Sequence, residues 1–127
     1  MKINDPAVLA EVTDQFNAYE QALVSNDVEV LDRLFWERPE VVRYGATENL
    51  YGPEEIAAFR KARPSKGLER TLKRTVITTF GDDYATAWTE FTRPGTDRIG
   101  RQSQVWVRQP EGWRIVAAHV STMDVTQ

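Results

Sequence analysis

An α+β fold, helices first and a strongly curved antiparallel sheet after them, is predicted by a change of hydrophobic period near Leu68. Before it, apolar residues recur at three- and four-residue intervals. After it, runs rich in Val, Ile, Thr, Trp and Tyr alternate with short glycine- and proline-bearing connections. Length gives the remaining observation: 127 residues, 41% hydrophobic and 28% charged, suit one hydrophobic core, so one domain is expected over 1–127.

Asp5-Pro6 supplies an acceptor for free amides and then a proline whose fixed φ suits a first turn, so a helix is predicted from Pro6 to about Val24. Leu9, Val12, Phe16, Tyr19 and Leu23 form its apolar stripe, which turns Tyr19 toward the core. Ser25-Asn26-Asp27 caps a second helix carrying Val28, Leu31, Leu34 and Phe35 up to Trp36, with Pro39 barring continuation. Val41 to Tyr44 reads as a short strand. Gly52-Pro53-Glu54-Glu55 then starts a third helix, bearing Ile56, Ala57, Phe59 and Arg60 and ending near Arg63-Pro64. Thr71–Phe80, Tyr84–Thr92, Ile99–Arg108 and Trp113–Thr122 are the predicted meander, joined by connections short enough for hairpins. No internal repeat or linker interrupts it.

Composition narrows the chemistry. The net charge of −3 comes from interspersed signs, which favours neither a nucleic-acid surface nor a polybasic membrane patch. Without cysteine there is no disulfide, thiol nucleophile or thiolate metal site, and one histidine makes an imidazole metal site improbable. The start, MKINDPAVLAEVTDQF, carries acids early and no uninterrupted apolar run, so it reads as neither a signal peptide nor a membrane span, and a cytoplasmic location is expected. Phosphate-binding glycine loops, nucleophile elbows and paired-histidine motifs are absent.

What remains is a set of polar residues on otherwise apolar faces, each with a structural reading beside the chemical one. Tyr19 is either a core tyrosine bonded to a carbonyl or a donor projecting into a pocket. Arg43 shares a strand face with Val41, while Val42 and Tyr44 point the other way. It is a structural ion pair with Glu20 or Glu48, a snorkelling edge arginine, or a clamp whose planar fork of donors matches a carboxylate. His119 interrupts the last strand and suits proton transfer near neutrality, though a lone strand histidine is more often structural. Arg101 and Ser103 share one face of the middle strand and Gln102 and Gln104 the other, so only one pair lines a pocket. His119, Arg101, Ser103 and Trp88 are the further candidates for substrate contact, with Trp88, Trp106 and Trp113 also read as core or interface residues.

FWERPEVVRYGATENLYGPEEIAAFRKARP, RTVITTFGDDYATAWTEF and GRQSQVWVRQPEGWRIVAAHVS together cover most of the chain, and in them it resembles the SnoaL-like, nuclear transport factor 2-like superfamily. Within that superfamily it looks like the AtzH-like proteins encoded beside amidases of oxalurate and cyanuric acid breakdown. The resemblance implies a cone of curved antiparallel sheet packed on three N-terminal helices. It also implies an enzyme that needs no metal or cofactor, a decarboxylating amidohydrolase converting dicarboxyurea to allophanate. The alternatives are an oxalurate-catabolism protein or a non-catalytic accessory partner of an amidase. By motif, the family's catalytic tyrosine of the first helix and arginine of the first strand fall on Tyr19 and Arg43. A small carboxylate or ureido substrate and a functional link to an amidase are implied too. So is a homodimer through the open sheet face, with Trp106 as a contact. Isomerase chemistry of the ketosteroid type needs a carboxylate base, and only Glu90 offers itself. A dehydratase-like histidine pair is ruled out by the single His119.

Overall fold

Asp5 caps the first helix, α1 (Pro6–Ser25), in the computed structural model of the chain, which describes residues 1–125 and so leaves the last two positions of the expected domain outside the described residues. Its carboxylate accepts from the Ala7 and Val8 amides, and Pro6 fills the first turn where no amide is needed. Val8, Val12, Phe16, Tyr19, Ala22 and Leu23 are the buried stripe, and Leu9 is only half-buried beside it. Asn26 ends the helix in the left-handed region (φ 55°), as a short polar residue tolerates.

The second helix, α2 (Val28–Leu34), is capped by the Asp27 carboxylate on the Val30 amide. It ends two residues before the predicted Trp36. Phe35 is extended and bridges Ile115 in parallel, and the Trp36 amide donates to the Ile115 carbonyl at 2.9 Å, so sheet pairing displaces the last half-turn. Two short strands follow, β1 (Val42–Tyr44) and β2 (Asn49–Tyr51), then α3 (Gly52–Ala62) with Pro53 in its first turn. The sequence gives no sign of β2, which is three residues long and pairs only with β1. The meander is β3 (Thr71–Phe80), β4 (Tyr84–Thr92), β5 (Ile99–Gln109) and β6 (Gly112–Met123).

These strands form one six-stranded sheet in the order β2-β1-β6-β5-β4-β3. Every neighbouring pair is antiparallel except β1 with β6, which is parallel and joins two strands far apart in the chain. The helices cover one face. Ala85, Ala87, Thr89 and Phe91 of β4, Gln102, Gln104 and Trp106 of β5, and Trp113 and Ile115 of β6 are buried beneath them. Among the described residues no helix is long and apolar enough to cross a membrane.

Two places show how this sheet is held around the interior. At Gly100 a Cβ would lie 2.2 Å from the Phe91 ring of the neighbouring strand, so glycine lets that ring lie flat across β5. The ring in turn carries the Arg70 guanidinium at 4.3 Å, and Arg70 closes on the Glu20 carboxylate of α1 through two hydrogen bonds, 2.8 and 2.6 Å. The second place is β6, where Val105 faces Ala117 and Trp106 faces Ile115, leaving Val116 as the extra residue of a bulge. That bulge reverses which side chains face inward for the remainder of β6.

Candidate functional site

Arg43 points into the covered face. Val41 before it is fully buried, Val42 and Tyr44 on either side are half-buried, and Arg43 itself is 9% exposed, as strand alternation requires. In register across the sheet lie Ala87, Gln104, Ala118, Arg43 and Leu50, so two alanines flank Gln104 and leave the long Arg43 side chain a shallow floor to lie over.

Helical residues roof this floor. The Tyr19 ring from α1 meets Phe35 at 6.1 Å between centroids, and the Arg60 guanidinium of α3 stacks on the other contact of Phe35 at 4.5 Å. Phe59 of α3 takes Arg43 at 5.3 Å and Arg63 at 5.8 Å. Two phenyl rings thus gather Tyr19 and three arginines, and Tyr19 and Arg43 both lie within electrostatic reach of Arg60 and of Arg63. Burial pushes the Arg60 and Arg63 guanidiniums below their ordinary value, against the opposing pull of Tyr19 on both and of Asp32 on Arg60. Both stay cationic, because a guanidinium starts so high.

The ion pairs of this interior are selective. Arg43 Nη1 donates to Glu48 Oε2 at 2.8 Å, Arg60 Nη1 to Asp32 Oδ1 at 2.8 Å, and Arg70 takes Glu20. Of the two acids that suited Arg43, Glu48 is therefore the partner and Glu20 belongs elsewhere. Gly45 makes this possible, since a Cβ there would sit 1.7 Å from Glu48 Oε2. Arg63 has no acidic partner among the described residues. The remaining donors of the Arg43 fork, and the hydroxyl of the largely buried Tyr19, make no hydrogen bond to any described residue.

A pattern emerges from the buried groups left without partners. Near this interior they are Arg60 Nη2, Arg63 Nε and Nη2, Gln102 Nε2 and Gln104 Nε2. All are donors. The glutamine amides are oriented by donors on their other side, Arg70 onto Gln102 Oε1 and Trp106 Nε1 onto Gln104 Oε1, both at 3.0 Å. Buried donors in excess, with no acceptor to meet them, are what an anionic ligand complements.

Partial burial pushes the Glu48 carboxyl up, but the Thr47 hydroxyl and the Arg43 guanidinium outweigh that and hold it below the usual carboxylate range. A depressed folded-state pKa contributes stability that is complete above the unfolded value near about 4.3 and is lost as pH falls through the folded one. The melting temperature of the parent is therefore expected to exceed that of Glu48→Gln at neutral pH and to converge on it as the solution is acidified below about pH 4. A gap that stays constant throughout the acid range would show that the Arg43–Glu48 pair contributes nothing to stability.

The other predicted contacts are elsewhere. Trp88, Arg101, Ser103 and His119 do not join Tyr19 and Arg43, because all four stand on the opposite, uncovered face of the sheet. There they line a groove of about 430 Å³ together with Arg74, Val76 and Ser121, with Trp88 59% exposed. His119 packs edge-on against Tyr44 at 5.9 Å. It is Gln102 and Gln104, not Arg101 and Ser103, that face the helices. Glu90 is exposed on the outer face, away from Tyr19. Trp106, expected as a contact between subunits, is fully enclosed on the inner face with its indole N–H on Gln104, so it cannot meet a second chain. Among the described residues no three His, Asp or Glu side chains come together as a metal cluster.

Arg60 and Arg63 belong to this interior beside Arg43, although the helical period alone reads them as ordinary helix residues. A signal was present, for Arg60 follows the buried Ile56 by one helical turn and Arg63 follows Phe59 in the same way.

The family model described as AtzH-like matches residues 1–126. A protein of unknown function from Pectobacterium atrosepticum is 65% identical, with 96% of this chain and 95% of that one covered and a TM-score of 0.95. A cystatin-like fold protein from Burkholderia xenovorans is 48% identical over 99% of both chains, again with a TM-score of 0.95. A nuclear transport factor 2-like superfamily protein from Salmonella enterica serovar Typhimurium is 29% identical over 95% of this chain and 94% of that one, with a TM-score of 0.76. No curated protein matches the chain.

Proposed function

The chain belongs to the AtzH-like family, and on that premise we propose that it is a cofactor-independent decarboxylating amidohydrolase that converts dicarboxyurea to allophanate. The observation that carries the reading is the interior itself. The Phe35 and Phe59 rings gather Arg43, Arg60 and Arg63 on the side of the unpartnered Tyr19 hydroxyl, and the unpartnered buried nitrogens there are all donors. A cationic interior of this kind suits a small anion with two carboxylates.

An N-carboxylate is released when the C–N bond breaks with its electron pair on nitrogen; that nitrogen takes up a proton, and carbon dioxide departs. The protein has to hold the substrate still and deliver one proton. Arg43 grips the carboxylate that stays, through the guanidinium donors that Glu48 leaves free. Tyr19 gives its hydroxyl proton to the nitrogen bearing the carboxylate that leaves and recovers one from water. Arg43 is better used on the retained group, because gripping the departing one lowers the ground state and the transition state unequally, in the wrong direction for rate.

Purified protein given freshly generated dicarboxyurea should release carbon dioxide and allophanate in equal amounts with no amidase added. Absence of any product from active-site-intact protein, with turnover only when an amidase is present, would replace this reading by an accessory role.

A further inference from the structure

The donors of α3 have a use that Arg43 and Tyr19 do not cover. We propose that Arg60 and Arg63 form a second carboxylate grip beside Tyr19, one that holds the departing carboxylate in the ground state and thereby distinguishes the doubly charged substrate from the singly charged product. This inference rests on the reading of the interior as the reaction site, and it adds the basis of ligand selectivity.

Three observations carry it. The first is the charge balance of the site: Arg43 and Arg60 each have a carboxylate, but Arg63 has none among the described residues although it is only partly exposed. An ordinary reason for arginine at this position is the negative end of the α3 dipole. That reason would place the guanidinium in water, whereas Arg63 Nε and Nη2 are buried and unpartnered. The second is orientation. Asp32 ties Arg60 by Nη1 and Phe35 supports its plane at 4.5 Å, which leaves Nη2 as the free tine of a fixed fork, itself on a residue only 4% exposed. Phe59 supports Arg63 in the same way at 5.8 Å. The third is position, since the Phe35 ring that carries Arg60 packs against Tyr19, the proton donor of the proposed reaction, and the Phe59 ring that carries Arg63 also carries Arg43.

The chemistry then explains what such a grip accomplishes. A carboxylate held by two guanidiniums is a bound anion before reaction and neutral carbon dioxide after it, so the grip is released by the reaction itself. Allophanate keeps one carboxylate, meets Arg43 alone and dissociates. Because the contact weakens on the way to the transition state, losing it should raise KM while leaving kcat unchanged or higher.

The test uses glutarate, whose chain matches that of dicarboxyurea atom for atom, and pentanoate, which lacks the second carboxylate, with calorimetric titration of parent, Arg63→Gln, Arg63→Lys and Arg43→Ala. The parent should bind glutarate about 10- to 100-fold more tightly than pentanoate. Arg63→Gln should erase that preference by weakening glutarate alone, and Arg63→Lys should restore part of it. In turnover, Arg63→Gln should raise KM by a similar factor without lowering kcat. Arg63→Gln that keeps the parent's preference overturns the inference, as does a parent with no preference. If Arg43→Ala weakens both acids while Arg63→Gln keeps the preference, only the second grip is wrong; if Arg43→Ala binds both acids like the parent, the site itself is wrong.

Discussion

Arg43→Ala is expected to fold and to lose about three orders of magnitude in kcat/KM, the effect of removing two charge-assisted hydrogen bonds worth about 2 kcal/mol each from a carboxylate anchor. The loss should appear in both KM and kcat, because a substrate released at its retained end no longer presents its nitrogen to Tyr19. Stability should fall modestly, by about 1–2 kcal/mol, which is less than for a fully buried ion pair. The reason is that the Glu48 side chain keeps 18% of its surface exposed and swings to water once Arg43 is gone. Circular dichroism and thermal melts beside the kinetics separate the two effects. An Arg43→Ala protein that turns over like the parent would leave Arg43 as a structural residue paired with Glu48 and nothing more.

Tyr19→Phe should reduce kcat by about 100- to 10,000-fold, the range for a positioned proton donor, with KM nearly unchanged. What gives this substitution its force is its expected effect on stability. A buried core tyrosine bonded to a carbonyl loses about 1 kcal/mol or more when the hydroxyl is removed. The Tyr19 hydroxyl has no hydrogen-bond partner among the described residues, although the residue is 3% exposed. Phenylalanine should therefore be neutral or stabilising here, and a rise in melting temperature with a collapse in kcat would mark a group kept for chemistry at the expense of the fold. A loss in both would return Tyr19 to the ordinary core.

The placement of these two residues was legible in the chain because it rests on local periods. Tyr19 follows Phe16 and Val12 on one helical stripe, and Arg43 follows Val41 on one strand face; neither period is disturbed before the fold is complete. The face of His119 was not legible, for a definite reason. Alternation from Trp113 and Ile115 would carry Ala117 and His119 inward, but the extra residue at Val116 shifts the parity, so Ala118 faces the helices and His119 faces out. A bulge is a property of two paired strands, and one strand read alone does not announce it. The same limit hid β2, whose Asn49-Leu50-Tyr51 is extended only because β1 lies beside it. The end of α2 likewise depends on Ile115, far along the chain in β6, capturing the Trp36 amide. Arg60 and Arg63 are visible as residues but not as a pair, since what makes them one feature is that buried nitrogens of both lack a partner among the described residues, and that is a fact of three dimensions.

Two surfaces compete for the ligand. The outer groove offers Trp88, Arg101, Ser103 and His119, residues that sequence reasoning selected for substrate contact, and it is open. The interior is tighter and charged, and it holds the tyrosine. A crystal structure of the protein with bound glutarate decides between them most directly. The expected result is one carboxylate within hydrogen-bonding distance of Arg43 and the ligand chain running past the Tyr19 hydroxyl. Glutarate seated in the outer groove against Arg101 and His119, with the interior unchanged, would contradict the assignment of the site.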